Sequence, residues 1–412
     1  MNNSIDNPNV CQLFHDIARG NDRPAIIMPG RGRRCRVSFH ELHEGSLLLG
    51  SSLREIGLQP GDRAIIMIPM SIDLYMTLLA VVSIGATAVF VDPWIPPRQM
   101  AAFAQFAEPT AFIGIGKSHW LRRMEPELKQ VRKKVTTGHK FLWWPAKYRL
   151  PVLKLNMEMS DVVQVDEEQP ALITFTSGSS GQPKGANRTH RFLRAQHEAL
   201  EHEFPCQADD IDMPTFPVFA LNNLVSGITS VVPDMDFKRV AEVDGNKIAK
   251  QMNQHGVTTC TVSPPFLDRL CDYLDGGGRR PGLRRVLTGG APVSRRQLKR
   301  WQDCLNETEI IVAYGSTEAE PVAHISSGQR LSLDEGLPGY CTGQLVSRID
   351  ARVIEILQQD EAIRSKSLDE LTLPAGQIGE LVVSGDHVCR DYFRNPEANA
   401  ENKIVDPLGV IW

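Results

Sequence analysis

Short apolar runs alternate along the chain with segments in which apolar residues recur every three or four positions. The run Ala64 to Ile68 is followed by Ser71 to Ile84, where the serine hydroxyl can cap the first turn of a helix. A second apolar run, Thr87 to Val91, comes next. Strands that alternate with helices are typical of parallel pairing, so this order predicts a parallel α/β sheet.

The same alternation continues over most of the chain and predicts its other elements. Strands are expected over Pro24 to Met28, Ala111 to Ile115, Ala171 to Phe175, Ile228 to Val232, Val257 to Val262, Arg285 to Thr288 and Glu309 to Ala313. Helices are expected over Asn9 to Arg19, His40 to Ile56, Pro97 to Ala107, His190 to Glu203, Val240 to Gln254, Phe266 to Tyr273 and Ser294 to Leu305.

The pattern of hydrophobic and polar residues changes beyond Leu337. Two strand-like runs, Ala351 to Ile356 and Ile378 to Val383, are separated by turns and a polar insertion, which indicates antiparallel pairing. We therefore predict an α/β fold with two αβ-layered subdomains, whose sheets are mostly parallel, over residues 1–336. A small C-terminal antiparallel β subdomain is expected over residues 337–412.

The composition is that of an ordinary globular chain. Of 412 residues, 42% are hydrophobic and 23% are charged, and the net charge of -4 argues against a nucleic-acid partner. The most apolar stretch, Leu74 to Val91, is interrupted by Gly85, which favours a buried helix and strand over a membrane span. The eight cysteines form no C-x-x-C pair and follow no secretory signal, so we predict reduced thiols in a cytoplasmic protein.

A basic segment runs from Lys117 to Lys154. It contains eleven lysines and arginines and two acidic residues, Glu125 and Glu127. Charge runs are usually surface features, so we favour a solvated connecting segment. The alternative is a docking face for an acidic carrier, another partner protein or an anionic lipid.

Residues 173–185, with the sequence ITFTSGSSGQPKG, carry the strongest chemical signal. A β-prone run is followed by small hydroxyl residues and glycines, whose backbone N–H groups can surround an anion, and Lys184 adds a charge suited to phosphate. The alternative is a flexible Ser/Gly linker. Such a linker rarely follows a buried strand, and it rarely ends in a fixed Pro-Lys-Gly sequence. A nucleotide-binding P-loop needs Gly-Lys-Ser/Thr, whereas Gly185 and Ala186 follow Lys184 here. The segment therefore predicts capture of a polyphosphate after a strand.

This segment resembles the phosphate-loop signature of the adenylate-forming superfamily, which contains acyl-CoA synthetases, luciferases and nonribosomal-peptide adenylation domains. Two later motifs, GGAP at residues 289–292 and YGSTE at residues 314–318, resemble the adenine-side loop and the next core motif of that superfamily. The resemblance implies that a carboxylate attacks the α-phosphate of ATP in the presence of Mg²⁺ and that pyrophosphate is released.

The resemblance also assigns roles to individual residues. The expected catalytic residues are Thr176, Lys184, Thr317 and Glu318, with Thr317 at the α-phosphate. Glu318 and Thr176 are the expected ligands of Mg²⁺, a hard cation that prefers oxygen. Tyr314 is expected to lie against adenine. The full nucleotide-binding set is Thr176, Ser177, Gly178, Ser179, Ser180, Gly181, Lys184, Gly289, Gly290, Ala291, Pro292, Tyr314, Gly315, Ser316 and Thr317.

The segment from Asp212 to Ala220 is too apolar for a surface loop and predicts a pocket wall or a buried turn. An acyl chain would suit a pocket formed by Phe216, Phe219, Ala220, Leu221 and Val262, although a structural core would explain the same residues. Many acyl-CoA synthetases carry His where this chain has Ala220. This block and the sequence VVPDMD at residues 231–236 resemble the β-lactone synthetases of bacterial olefin biosynthesis.

The narrower resemblance implies adenylation of a fatty carboxylic acid, or its β-hydroxy form, and conversion of the acyl-AMP to a β-lactone. Such a reaction needs no coenzyme A, and it leaves an acyl-carrier protein or a pathway enzyme open as a partner. Three alternatives remain. They are acyl-CoA or acyl-carrier ligation, amino-acid adenylation, for which Pro214 to Leu221 contains no aspartate, and a non-catalytic nucleotide-binding protein.

The segment from Asp391 to Glu397 resembles the part of the superfamily that precedes a ribose-binding aspartate. The chain ends at Trp412. The resemblance implies that the mobile C-terminal domain, with its catalytic lysine, is absent from these 412 residues. We therefore expect slow adenylation by this chain alone.

Overall fold

The computed structural model describes residues 7–30, 35–91, 103–137, 148–149, 159, 161–177, 183–333, 339–356 and 367–412. Within them the strands are β1 Pro24–Ile27, β2 Arg36–Ser38, β3 Arg63–Met67, β4 Thr87–Phe90, β5 Ala111–Gly114, β6 Lys133–Thr136, β7 Tyr148–Arg149, β8 Pro170–Ser177, β9 Pro183–Thr189, β10 Ile211–Pro214, β11 Thr229–Val231, β12 Thr259–Val262, β13 Arg285–Thr288, β14 Glu309–Ser316, β15 Ala319–Ser326, β16 Gln344–Leu345, β17 Asp350–Ile354 and β18 Glu380–Ser384.

The helices in the same ranges are α1 Cys11–Ala18, α2 Phe39–Glu55, α3 Ile72–Ser83, α4 over residues 103–107, α5 Gly116–Met124, α6 Pro126–Lys129, α7 His190–Glu203, α8 Pro217–Val225, α9 Gly245–His255, α10 Pro264–Asp275, α11 Arg295–Cys304, α12 Ser327–Ser332, α13 Leu368–Leu371 and α14 Pro396–Asn402. A 3₁₀ turn covers Val240–Glu242. None of these helices is long and apolar enough to cross a membrane.

One sheet has seven described strands in the order β7-β6-β5-β3-β4-β8-β9. Its neighbours pair in parallel except β8 and β9, which are antiparallel. The central strand β3 is buried from Ala64 to Met67, as expected for a parallel strand whose two faces are covered. Ser71 accepts a hydrogen bond from the Leu74 N–H, which confirms the predicted cap of α3.

The second sheet has nine described strands in the order β16-β15-β14-β13-β12-β10-β11-β1-β2. The strands from β14 to β1 pair in parallel, and β15, β16 and β2 are antiparallel additions at the two ends. Phe266 and Trp301 lie in the apolar core beside this sheet. The predicted cap at Ser294 is confirmed and forms a capping box with Gln297.

β17 and β18 form a separate antiparallel pair in which Asp350 lies opposite Ser384. The three sheets confirm the predicted α/β class, with mostly parallel sheets and a small antiparallel part near the C-terminal end. The strand β16 nevertheless joins the nine-stranded sheet through Ala323 and His324. The division of the chain at residue 336 stays a prediction.

The predicted connecting segment is wrong for residues 117–136. Helix α5 buries Ser118, His119 and Arg122, and β6 pairs with β5 inside the seven-stranded sheet. The buried face of this helix is itself polar, and Arg122 donates a hydrogen bond to the Leu128 carbonyl oxygen, so no apolar pattern revealed its burial. Residues 138–147 and 150–158 of the basic segment, and residues 97–102 of the helix predicted from Pro97, lie outside the described residues.

Four further boundaries differ from the predictions. Lys184 lies in strand β9 and not in a loop, and β14 continues past Ala313 to Ser316. The segment from Asp212 to Ala220 is the end of β10 and the start of α8, not a buried turn. Helix α9 begins at Gly245 because the Asp244 side chain accepts hydrogen bonds from the first backbone N–H groups.

Two antiparallel pairs, one at the end of each large sheet, face each other. We call β8 and β9 the lysine edge (residues 170–177 and 183–189), and we call β14, β15 and their connection the glutamate edge (residues 309–326). Arg188 Nη2 donates a 2.8 Å hydrogen bond to the Thr317 carbonyl oxygen and joins the two edges directly. Gln196 Nε2 of α7 donates to the Glu320 carbonyl oxygen at 3.1 Å. The space between the edges is where the site forms.

Candidate active site

A cavity of about 560 Å³ lies between the lysine edge and the glutamate edge. From the expected nucleotide-binding set it is lined by Lys184, Gly289, Gly290, Tyr314, Gly315, Ser316 and Thr317. Glu318 lines it as well, as do Phe216, Phe219 and Val262 from the expected substrate set. The cavity therefore brings together residues that the sequence distributes over three distant motifs.

The remaining expected residues lie elsewhere or are not described. Ala291 and Pro292 are exposed and do not line this cavity. Ala220 is 1% exposed and lies in the apolar core, while Leu221 lines a neighbouring cavity. The backbones of Thr176 and Ser177 end β8, but their side chains, and Gly178, Ser179, Ser180 and Gly181, lie outside the described residues.

The connection between β14 and β15 holds Glu318 in place at the cavity. The Glu318 N–H donates to Ser316 Oγ at 3.3 Å, and its carbonyl oxygen accepts from the Cys389 N–H at 2.6 Å. Tyr392 donates its hydroxyl to Glu318 Oε1 at 2.9 Å. Burial, followed by the Glu318 carboxylate, raises the pKa of the Tyr392 hydroxyl, so this group remains a donor.

Lys184 is the buried cation of the opposite wall. The residue is 5% exposed, and Nζ lies 2.9 Å from Glu401 Oε2 of α14. The same nitrogen lies 5.7 Å from the centre of the Tyr392 ring. The Glu401 carboxylate thus occupies a position beside Lys184, the lysine that the sequence predicts to bind phosphate. Lys184 therefore already binds an anionic group in this structure.

The Glu318 carboxylate could bind Mg²⁺ if phosphate oxygens of the nucleotide supplied the other ligands of the ion. Among the described residues no group of three or more His, Cys, Asp or Glu side chains could hold a metal ion. Mg²⁺ is commonly held by one or two carboxylates together with substrate phosphates and water. Glu318 lines the cavity with one oxygen bonded to Tyr392, so it fits this second arrangement and not a preformed protein cage.

The adenine-side wall combines an open aromatic ring with a tightly packed glycine. Tyr314 is 42% exposed although it lies in a sheet, and it lines the cavity. A Cβ atom at Gly289 would lie 2.5 Å from the Ala313 carbonyl oxygen, so no other residue fits there without a backbone shift. Gly290 has a φ of 79°, in the left-handed region. A flat ligand can therefore approach this backbone closely.

Arg188 is a second buried cation, which the sequence analysis missed. It is 3% exposed and lines the cavity. Its Nη2 is bonded to Thr317, but its Nε and Nη1 have no hydrogen-bond partner. Burial lowers the pKa of the guanidinium, and nearby Glu320, Cys389 and Glu318 oppose that shift. An arginine remains charged in proteins, so these N–H groups are hydrogen-bond donors without an acceptor.

Glu320 is a second carboxylate at the cavity, also missed. It lines the large cavity and also a smaller apolar one of about 60 Å³. Leu200, Val218 and Phe219 likewise separate the two cavities. Burial raises the pKa of the Glu320 carboxyl, and the Arg188 guanidinium opposes the shift.

A strand-period signal could have found Arg188. Successive side chains of a strand alternate between its faces, so Lys184 and Arg188 lie on one face of β9. Glu318 lies in the connection before β15, so the same period does not indicate Glu320. No local pattern indicates Tyr392 or Glu401, because they reach the cavity only through the packing of the C-terminal segment.

The fold and the cavity are those of an adenylate-forming enzyme. A family model described as AMP-binding enzyme matches residues 13–393, and the chain belongs to that family. Membership confirms the predicted superfamily and identifies the chain as an AMP-forming ligase or synthetase.

Two curated relatives are named olefin beta-lactone synthetase. The one from Xanthomonas campestris is 33% identical over 398 residues, which cover 93% of this chain and 70% of the relative. The one from Stenotrophomonas maltophilia is 30% identical over 415 residues, 97% of this chain and 74% of the relative. The chain is thus an adenylate-forming enzyme related to these synthetases.

Solved structures share the fold at low sequence identity. A long-chain-fatty-acid–CoA ligase from Archaeoglobus fulgidus has a TM-score of 0.78 at 22% identity, covering 98% of this chain and 80% of that protein. A luciferase-like enzyme from the mealworm Zophobas morio has a TM-score of 0.80 at 17% identity, covering 100% and 96%. At such identities the likeness describes the fold alone.

Proposed function

We propose that this chain uses ATP and Mg²⁺ to adenylate a fatty acid that carries a β-hydroxyl group and then closes the acyl-AMP to a β-lactone. The observation that carries the proposal is one cavity that is lined both by Lys184, Thr317 and Glu318 and by the apolar residues Phe216 and Phe219. A polyphosphate and an acyl chain need these two kinds of wall side by side. The similarity to two olefin beta-lactone synthetases supports the lactone as product.

In the first step a carboxylate oxygen of the fatty acid attacks the α-phosphorus of ATP. A new P–O bond forms to the carboxylate, and the bond to pyrophosphate breaks. Lys184 places a positive charge at the phosphates, and Thr317 orients the α-phosphate. Glu318 would hold Mg²⁺, which neutralises charge that develops on the phosphates. Positioning and charge neutralisation supply most of the catalysis in such reactions.

In the second step the β-hydroxyl oxygen attacks the acyl carbonyl carbon. The bond from that carbon to the phosphate oxygen breaks, AMP leaves and the hydroxyl proton is released. Both reacting groups belong to one molecule, and well-oriented intramolecular reactions reach effective molarities of about 10⁵–10⁸ M. The attacking group is therefore supplied by the substrate, and coenzyme A is not required.

The test is a product analysis with the full chain. The enzyme is given a β-hydroxy fatty acid, ATP and Mg²⁺, with and without coenzyme A, and pyrophosphate, AMP and lactone are measured. We expect AMP and a four-membered lactone under both conditions. A thioester that forms only with coenzyme A, in the absence of lactone, would assign the chain to the acyl-CoA ligases instead.

A further inference from the structure

Helix α5 exposes a tryptophan and a methionine on the side that faces solvent. Trp120 is 60% exposed and Met124 is 53% exposed. The two residues are four positions apart, so they share one side of the helix. The opposite side holds the buried residues Ser118, His119 and Arg122. Burial of that side fixes the orientation of the helix and keeps both apolar side chains in contact with water.

Basic residues accompany this exposed apolar pair. Residues 117–134 contain seven lysines and arginines and only two acidic residues, in a chain whose net charge is -4. Helix α5 also contacts α6, which continues the basic stretch. Three exposed cations of the stretch form no ion pair within the described part of the chain, and they are Arg123, Lys129 and Arg132. Their charges are therefore available to an anionic partner.

Other exposed apolar side chains lack this combination. Ile378 and Leu408 are 88% and 89% exposed, but each lies two residues from an acidic side chain, Glu380 or Asp406. Single exposed hydrophobic residues are common and need no explanation. An exposed tryptophan beside available cations is different, because it is typical of proteins that lie on a membrane surface. There the ring sits among the headgroups and the cations attract anionic lipid.

The partner that best fits this face is an anionic lipid surface. A second copy of the chain would present the same positive charge and be repelled. An acidic protein would match the charge, but a specific protein interface needs about 800 Å² of complementary surface on each partner. Two apolar side chains on one helix provide no such surface. Lipid headgroups can rearrange around the side chains, so a lipid surface needs no matching shape.

We propose that Trp120, Arg123, Met124, Lys129 and Arg132 form a tryptophan face that docks the protein reversibly on anionic lipid. The inference rests on these surface residues. The proposed function only supplies a reason for docking, since a fatty acid partitions into lipid and an enzyme at that surface meets it there. None of the five residues lines the nucleotide cavity, so lipid at the tryptophan face does not occupy the ATP site.

Binding to vesicles tests the proposal without an assay of activity. The full chain is sedimented with vesicles of phosphatidylcholine that contain about 30% phosphatidylglycerol, and with vesicles of phosphatidylcholine alone. We expect at least about tenfold tighter binding to the anionic vesicles at low salt. Binding should disappear towards about 1 M salt, where charges are screened beyond about 3 Å. Brominated lipid should quench tryptophan fluorescence in the wild type, and Trp120→Phe should lose that quenching.

Two variants separate the charges from the apolar side chain. Arg123→Gln/Lys129→Gln/Arg132→Gln should weaken binding to anionic vesicles about 100-fold, because each basic residue near the lipid contributes about fivefold. Trp120→Ser should weaken it about tenfold, because the ring no longer enters the headgroup region. All four side chains are exposed, so both variants should keep the wild-type melting temperature.

Matched controls make the same chemical changes elsewhere. Arg279→Gln/Arg296→Gln/Lys299→Gln removes three other exposed cations and gives the same net charge as the triple variant of the tryptophan face. Ile378→Ser removes an apolar side chain that is more exposed than Trp120. Both controls should bind anionic vesicles as tightly as the wild type.

Three results would overturn the tryptophan face as a lipid-docking surface. One is equal binding, or no binding, to the two kinds of vesicle. Another is an equal loss of binding in the control triple variant, which would show that net charge alone matters. The third is binding to soluble polyglutamate that depends on Trp120 when vesicles do not bind, which would indicate an acidic protein partner. Failure of the proposed function would look different, because vesicle binding would persist while no pyrophosphate was released.

Discussion

The lysine edge and the glutamate edge are built alike but carry opposite charges. Each adds an antiparallel strand to the end of a parallel sheet. The lysine edge contributes Lys184 and Arg188, which are 5% and 3% exposed, whereas Glu318 and Glu320 on the other edge are only partly buried. The cations are thus fixed in the wall, and the carboxylates remain accessible to ligands. The comparison indicates that the seven-stranded sheet supplies fixed positive charges to the cavity. The nine-stranded sheet supplies carboxylates whose partners can change when a ligand binds.

Glu318→Gln should have the largest effect, because it removes the accessible carboxylate while keeping its size. We expect Mg²⁺-dependent pyrophosphate release to fall about 100-fold or more, the size typical for loss of a group that stabilises transition-state charge. The rate is measured against Mg²⁺ concentration. Glu309→Gln, at the exposed start of β14, is the control and should behave as wild type. An unchanged dependence on Mg²⁺ in Glu318→Gln would show that the carboxylate is structural.

Lys184→Ala should have the next largest effect, because it removes a fixed cation from the opposite edge. Hydrogen bonds to charged groups contribute about 2 kcal/mol, so we expect about a 30-fold rise in the KM for ATP. The melting temperature shows whether the fold survives. Lys247→Ala removes an exposed lysine that pairs with Asp234 at 2.8 Å and serves as the control. A KM for ATP that stays at the wild-type value in Lys184→Ala would remove this lysine from phosphate binding.

Acid should weaken the lysine edge through His190, which follows it directly. The Val10 N–H donates to Nδ1 at 3.1 Å, and Nε2 is buried without a partner. Burial lowers the pKa of His190 to about 4. The unfolded chain binds a proton near its usual pKa of about 6.5 and the folded chain does not, so stability is lost as the pH falls from there towards the folded value. We expect about 2 kcal/mol between pH 7 and pH 5.

Denaturation at both pH values measures this contribution. His190→Asn should flatten the decline in the free energy of unfolding, whatever its absolute stability. His202→Gln changes an exposed histidine of the same helix and should leave the decline intact. An identical decline in His190→Asn and wild type would place the acid sensitivity elsewhere, for example in buried His387, whose pKa burial also lowers.

Glu401→Gln should have the smallest effect and the opposite sign. The Glu401 carboxylate holds Lys184 Nζ at 2.9 Å and is half exposed. An amide would compete less well for the lysine, so ATP should bind about threefold more tightly, in line with the modest strength of exposed ion pairs. The dissociation constant is measured directly by calorimetry. Weaker binding would instead show that Glu401 supports the lysine when the nucleotide is bound.

The sequence predicted the fold better than the walls of the site. Parallel strands such as β3 are continuous apolar runs, and their buried character is visible in the letters alone. Strands β9 and β15 were missed because PKGANRT is polar and AEPVAHIS contains a proline. Both patterns normally argue against a buried strand.

The phosphate lysine and the YGSTE motif could be predicted because glycine, hydroxyl and charged residues cluster locally. Glu320 could not, and Arg188 could only through the alternation along β9, because a charged residue is usually exposed. Their burial depends on contact between two sheets and not on their neighbours in the sequence. The second apolar cavity was likewise invisible, since its wall combines α1, α3, α7 and α8.

The hydrogen bond from Arg188 to Thr317 has a consequence for the order of folding. It joins residues 129 positions apart, and contacts of such sequence separation form late because the intervening chain must first be ordered. Each sheet has an apolar cluster of its own, around Trp301 in one and Phe112 in the other, that can form before the two edges meet. The last event of folding would then be the one that creates the nucleotide site, so the capacity to bind ATP should separate completely folded molecules from those in which a single sheet has formed.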